Sequence, residues 1–112
     1  MERLLRKGVD VNLKTNRGLC PLYAACFEGH TNTVRILLED GADVNLKTNS
    51  GLSPLHAACY YGHDSTVQLL LESGADVNLQ DEDGFSPLNY ACENGHYTTV
   101  QILLLDKSAD VN

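Results

Sequence analysis

Apolar residues fall at Val34, Leu37 and Leu38, and again at Val67, Leu70 and Leu71, the i, i+3, i+4 spacing of one helix face. Ahead of each run lies a shorter apolar stretch that closes at a glycine: Gly29, Gly62 and, further on, Gly95. Ser53 and Ser86 suit the N-cap of that first helix, and Pro54 and Pro87 its first turn. His30, His63 and His96 lead into the second helix, which Gly41 and Gly74 end as left-handed caps. Between helix pairs, Lys14–Leu19, Lys47–Leu52 and Gln80–Phe85 are polar and turn-forming. The pattern predicts turn, short helix, second helix, three times over.

The elements recur because the sequence does. Lys14–Leu46 and Lys47–Leu79 share 23 identities in 33 positions. One such unit has too little apolar surface to fold alone and must stack on its neighbours. The prediction is an all-α solenoid and a single domain over 1–112: a partial repeat at 1–13, repeats at 14–46 and 47–79, and a third at 80–112 with one extra residue near its end. Ser108 takes the place of the capping glycine there, so the last helix is expected to end irregularly.

Gly-x-Ser-Pro-Leu-His at 51–56, Ala58-Cys59, Gly62-His63, Val67-x-x-Leu-Leu and Gly74-Ala-Asp-Val-Asn78 resemble the ankyrin repeat. The resemblance implies stacked helix-turn-helix units with projecting turn or hairpin loops, and a binding module without chemistry of its own. In the family a Thr caps the first helix and a His ties neighbouring loops together. Here Cys20 is the cap of the first repeat, a weaker one, and Tyr23 and Asn89 replace the His. Only His56 keeps that imidazole, so the middle repeat should be the most regular.

The net charge is −7, with −5 in residues 80–112. That argues against nucleic acid and acidic membranes, which call for basic patches. No apolar run reaches membrane-spanning length, and Met1–Lys7 lacks a signal-peptide core. Cys26, Cys59 and Cys92 recur at the repeat period. They should be buried, free thiols acting as small hydrophobes, since stacked helices hold them too far apart to bridge. Free buried thiols imply a reducing compartment, cytoplasmic or nuclear.

Catalysis needs a nucleophile, a base and an orienting group in one cleft, and tandem repetition explains the Cys and His residues more simply. No metal-ligand spacing or phosphate loop is present in the sequence, and no cofactor is implied. Asn45 and Asn78, each eight residues after a helix leucine, resemble sites at which ankyrin domains are hydroxylated by an oxygen-sensing asparaginyl hydroxylase. The plainer role is capping the turn through the side chain.

By the same resemblance, recognition falls on turn tips and first helices. The candidates are Arg17, Leu19, Phe27 and Glu28, then Leu52, Tyr60 and Tyr61, then Glu82, Asp83, Phe85, Tyr90 and Glu93. Tyr60, Tyr61 and Phe85, with Phe27 beside them, are expected to form an aromatic strip, with Asp81, Glu82, Asp83 and Glu93 rimming one end. Such a strip suits a protein or peptide with an apolar anchor and basic flanks, bound by a monomer or by part of a longer chain. Two other readings stand beside it: a spacer in a longer array, and a targeting domain attached to an enzyme. Exposure below about 20% at Tyr60 and Phe85 would make them seam covers instead of a recognition strip, since hot-spot aromatics must reach a partner.

Overall fold

The computed structural model describes residues 10–106. The half repeat before residue 10 and the extra residue near Ser108 lie outside them. Six helices follow the predicted order: α1 Pro21–Glu28, α2 Thr31–Glu39, α3 Pro54–Tyr60, α4 Asp64–Glu72, α5 Pro87–Glu93 and α6 Tyr97–Leu105. Each odd helix packs on the even helix that follows it. First helices stack as α1 on α3 on α5, and second helices as α2 on α4 on α6.

Local chemistry starts each first helix. Ser53 Oγ accepts from the His56 N–H while His56 Nδ1 accepts from the Ser53 N–H, a reciprocal capping box. Ser86 and Asn89 repeat the arrangement. Cys20 does cap α1, its Sγ accepting from the Tyr23 N–H at 3.4 Å, but no side chain at Tyr23 returns the bond. The second helices begin at His30, His63 and His96, none of which caps with its side chain.

The core is the set of positions that the 33-residue period stacks. Leu22 and Leu55, Val34 and Val67, and Leu37, Leu70 and Leu103 are all buried. Each fully buried side chain of this size stabilises the fold by about 1.5–3 kcal/mol. Cys26 and Cys59 are 0% exposed, and all four cysteines are free. Cys92 is exposed, against expectation: among the described residues α3 lies on α1 and α5 on α3, and no first helix lies on α5. The last helix does end differently. The C-caps Asp40 and Ser73 are near-helical and lead into positive-φ glycines, whereas Asp106 is extended.

Candidate functional site

The turns position the site. In the first two repeats Thr15 Oγ1 and Thr48 Oγ1 accept from the N–H groups of Leu19 and Leu52. In the third, Asp81 Oδ1 does the same for Phe85 at 2.9 Å, and it accepts the Asp83 N–H as the two threonines accept those of Arg17 and Ser50. Its second oxygen accepts the Tyr90 hydroxyl. One carboxylate therefore closes the third turn and fixes the Tyr90 ring. Burial opposes ionisation of Asp81, but the Tyr90, Phe85 and Asp83 donors win and hold the carboxyl below its ordinary value. Burial and the adjacent carboxylate raise the Tyr90 hydroxyl in turn. Asp81 was expected on an acidic rim. It is buried, because it is consumed by the turn.

Neighbouring repeats are sewn together beside this turn. The Glu82 N–H donates to the Ser50 carbonyl at 3.0 Å, and Asn49 Nδ2 to the Asn16 carbonyl at 3.1 Å. His56 Nε2 lies 2.9 Å from the Phe85 carbonyl. Because Nδ1 accepts from the Ser53 N–H, the proton sits on Nε2 and the ring is neutral. Burial keeps its pKa below the ordinary 6.5, against the Phe85 bond, which favours the charged form. His56 is not the only imidazole joining repeats, as the motif had suggested. His63 Nε2 reaches the Phe27 carbonyl at 3.2 Å, and His96 Nε2 the Tyr60 carbonyl at 2.9 Å. The sequence marked both as helix-start residues and gave no sign of the backward reach.

On this frame stands a continuous file of rings. Tyr23 meets Phe27 at 6.3 Å between centroids, and Phe27 meets Tyr61 edge-on at 4.8 Å. Tyr61 meets Tyr60 at 4.8 Å, Tyr60 meets Tyr90 at 5.7 Å, and Tyr90 meets Phe85 at 5.7 Å. Six rings on or beside α1, α3 and α5 thus cross all three repeats. Tyr60 and Phe85 are 44% and 45% exposed, well above what a seam cover would show. Phe27 and Tyr61 are exposed as well, and Tyr23 and Tyr90 half-buried. Tyr23 was not among the sequence candidates. Its signal was present, an aromatic in the slot of His56, but it read as a lost motif residue and not as a link.

A groove of about 190 Å³ opens among these rings, floored by Ala57, His56 and Leu52. That is small beside the roughly 300–1,000 Å³ of small-molecule sites and fits a single side chain. A second groove adjoins it, where Arg17, Leu19 and Glu28 meet Leu52 and Phe27. Glu82, Asp83 and Glu93 are exposed at the other end. Asn45 and Asn78 stand apart from the strip. Asn45 Oδ1 accepts the Asp76 N–H of the next repeat at 2.8 Å, so this side chain splints two repeats instead of capping its own turn. Asn12 does the same for Asp43. Among the described residues no three His, Cys, Asp or Glu gather as a metal site would, and no helix is long and apolar enough to cross a membrane.

A family model described as ankyrin repeats in three copies matches residues 1–81 and 50–112. No curated protein matches the chain.

Proposed function

The chain belongs to the ankyrin-repeat family, whose members are generally protein–protein interaction modules, and from that premise we propose that it is a scaffold, adaptor or regulatory module gripping a peptide along its aromatic strip. The observation that carries this is the unbroken file from Tyr23 to Phe85, four of whose six rings are exposed where an aromatic kept for stability would be covered. Tyrosine is prominent in binding hot spots because it offers a large rigid face with a polar edge. The groove at Ala57 takes one apolar anchor. The exposed Glu28, Glu82, Asp83 and Glu93 favour basic residues on either side of it. The module acts by binding alone, with no cofactor, in the cytoplasm or nucleus, where its free thiols stay reduced. Hydroxylation at Asn45 or Asn78 is a secondary expectation, read as the mass gain of one oxygen after incubation with an asparaginyl hydroxylase.

Selection of peptides from a displayed random library tests the reading. The enriched peptides should share one aromatic or branched apolar residue flanked by Lys or Arg. Their affinity should weaken with added salt as the flanking charges are screened. Enrichment of acidic peptides, or none that competes with Tyr60→Ala loss, would sink it.

A further inference from the structure

The groove over Ala57 is walled mostly by rings. Tyr23, Phe27, Tyr60, Tyr61 and Tyr90 line it, with Leu52, His56 and Ala57 beneath them. Successive rings do not lie flat on one another. Phe27 and Tyr61 are inclined by 67°, Tyr61 and Tyr60 by 64°, and Tyr60 and Tyr90 by 58°. Rings set at such angles wall a hollow from several sides, where a flat stack would fill it.

The hollow is electrostatically negative, yet no carboxylate lines it. An aromatic face carries the negative part of the ring quadrupole. No Lys or Arg is among the lining residues. The one imidazole there, His56, is neutral, with Nδ1 engaged by the Ser53 N–H and Nε2 by the Phe85 carbonyl. The Tyr90 hydroxyl donates to Asp81, which enriches that ring in electron density and sets a carboxylate behind it. Outside the rings, Glu28 follows Phe27 and Glu93 ends the helix that carries Tyr90, and both are exposed. The cation of the adjoining groove, Arg17, shares it with Glu28.

Such a site selects among cations. A primary ammonium has three N–H donors and is strongly hydrated, so it would give up water for rings that accept poorly. A quaternary ammonium has no donor to satisfy. It presents methyl groups to the rings and spreads its charge over them, the arrangement aromatic cages exploit. Its surface is apolar, as the groove requires, and its charge suits the acidic surroundings.

We infer that the groove is an aromatic cage for a quaternary ammonium, the side chain of a trimethylated lysine in the bound peptide. This rests on the strip being a peptide-binding surface and names the anchor that the groove takes. A library of encoded residues contains no methylated lysine, so a branched apolar residue is the surrogate it supplies.

Calorimetric titration with three short synthetic peptides tests it. Each is a Gly/Ser chain with Arg on either side of one central residue. That residue is trimethyllysine, unmodified lysine, or the neutral isostere whose quaternary nitrogen is replaced by carbon. The isostere keeps the shape of trimethyllysine and lacks only the charge. The native chain should bind the trimethyllysine peptide about tenfold or more tightly than either of the others, within the range of a desolvated cation–π contact. A Tyr60→Leu, Tyr61→Leu variant, shown to be folded by circular dichroism, keeps an apolar wall without two of the ring faces. It should bind the isostere about as the native chain does and lose most of the preference for charge. Phe27→Leu, on a different helix, repeats the comparison independently of α3. Equal affinity of the native chain for trimethyllysine and either comparison peptide overturns the cage, and equality with the isostere leaves a neutral apolar anchor in its place. A preference that survives intact in both folded variants overturns it too. If none of the three peptides binds while a library-selected peptide does, the cage falls and the peptide-binding strip stands. If no peptide of either kind binds, both fall.

Discussion

At the scale of single residues, His56 carries the most. It closes the capping box of α3, spans to the Phe85 carbonyl and is 1% exposed. Replacement by alanine strands the buried Ser53 N–H, at about 1–3 kcal/mol for a group left unpaired, and removes one of the two donors to the Phe85 carbonyl, which keeps the Asp81 N–H. Urea unfolding at neutral pH should show a loss of that order. The pH dependence has a definite sign. Folded His56 releases its proton more readily than unfolded His, so its contribution is complete above the ordinary 6.5 and is lost as pH falls below it. Asp81, depressed from 3.8, contributes in the same direction at lower pH, where its stabilisation is lost as the folded carboxyl protonates. Stability should therefore fall on acidification from about pH 6.5, and His56→Asn should flatten the upper part of that fall. Cys20 is the opposite case, a residue that can be improved. Oxygen is a stronger acceptor than sulfur, and the Tyr23 N–H already points at the cap. Cys20→Ser should raise stability by about 0.5–1 kcal/mol in the same titration, within the range of N-cap exchanges. The caps were legible because Ser-Pro and its spacing are local chemistry. The backward reach of His63 and His96 was not, because it depends on where the previous helix ends in space.

At the scale of elements, the junction between helices of one repeat is also the seat of the next repeat. Gly62 has φ of +68°, and a Cβ there would lie 2.8 Å from His96 Nδ1. Gly74 has φ of +92° and open space around it. Alanine at Gly74 meets only the backbone penalty, about 1–2 kcal/mol. Alanine at Gly62 meets that and must displace the His96 ring from the Tyr60 carbonyl. Thermal unfolding should rank Gly62→Ala clearly below Gly74→Ala. Equal midpoints would mean that the His96 bridge contributes little. The positions of the six helices were readable from a periodic apolar pattern punctuated by glycine and proline. The period alone did not say that Cys92 would be bare, since burial belongs to a neighbour and not to the residue. It also misassigned Asp81, whose acidic type suggests solvent while its place in the register of Thr15 and Thr48 makes it a turn anchor.

At the scale of the molecule, stability is a sum over nearest-neighbour interfaces, and the middle repeat alone has two complete ones among the described residues. Amide exchange should be slowest in α3 and α4 and faster in α6, whose end lacks the near-helical cap of α2 and α4. Uniform protection across the helices would contradict this. The file of rings is likewise a property of the whole stack. Tyr60 and Tyr61 come from one repeat, Phe27 from the one before and Tyr90 from the one after, and stacking alone brings them within contact. Four of its six members stood out in the sequence as a strip, because aromatics at first-helix and turn positions were the variable ones. Tyr23 and Tyr90 join it through geometry that the repeat imposes and the sequence does not spell out.

The most direct test of the binding account is calorimetric titration of a library-selected peptide into two proteins, the native chain and a Tyr60→Ala, Tyr61→Ala, Phe85→Ala variant whose circular dichroism matches it. Burial of the strip predicts binding to the native chain with a negative heat-capacity change and a loss of at least about a hundredfold in the variant, some 2.7 kcal/mol. Equal affinity for both proteins would place recognition elsewhere and leave the rings without the role assigned to them.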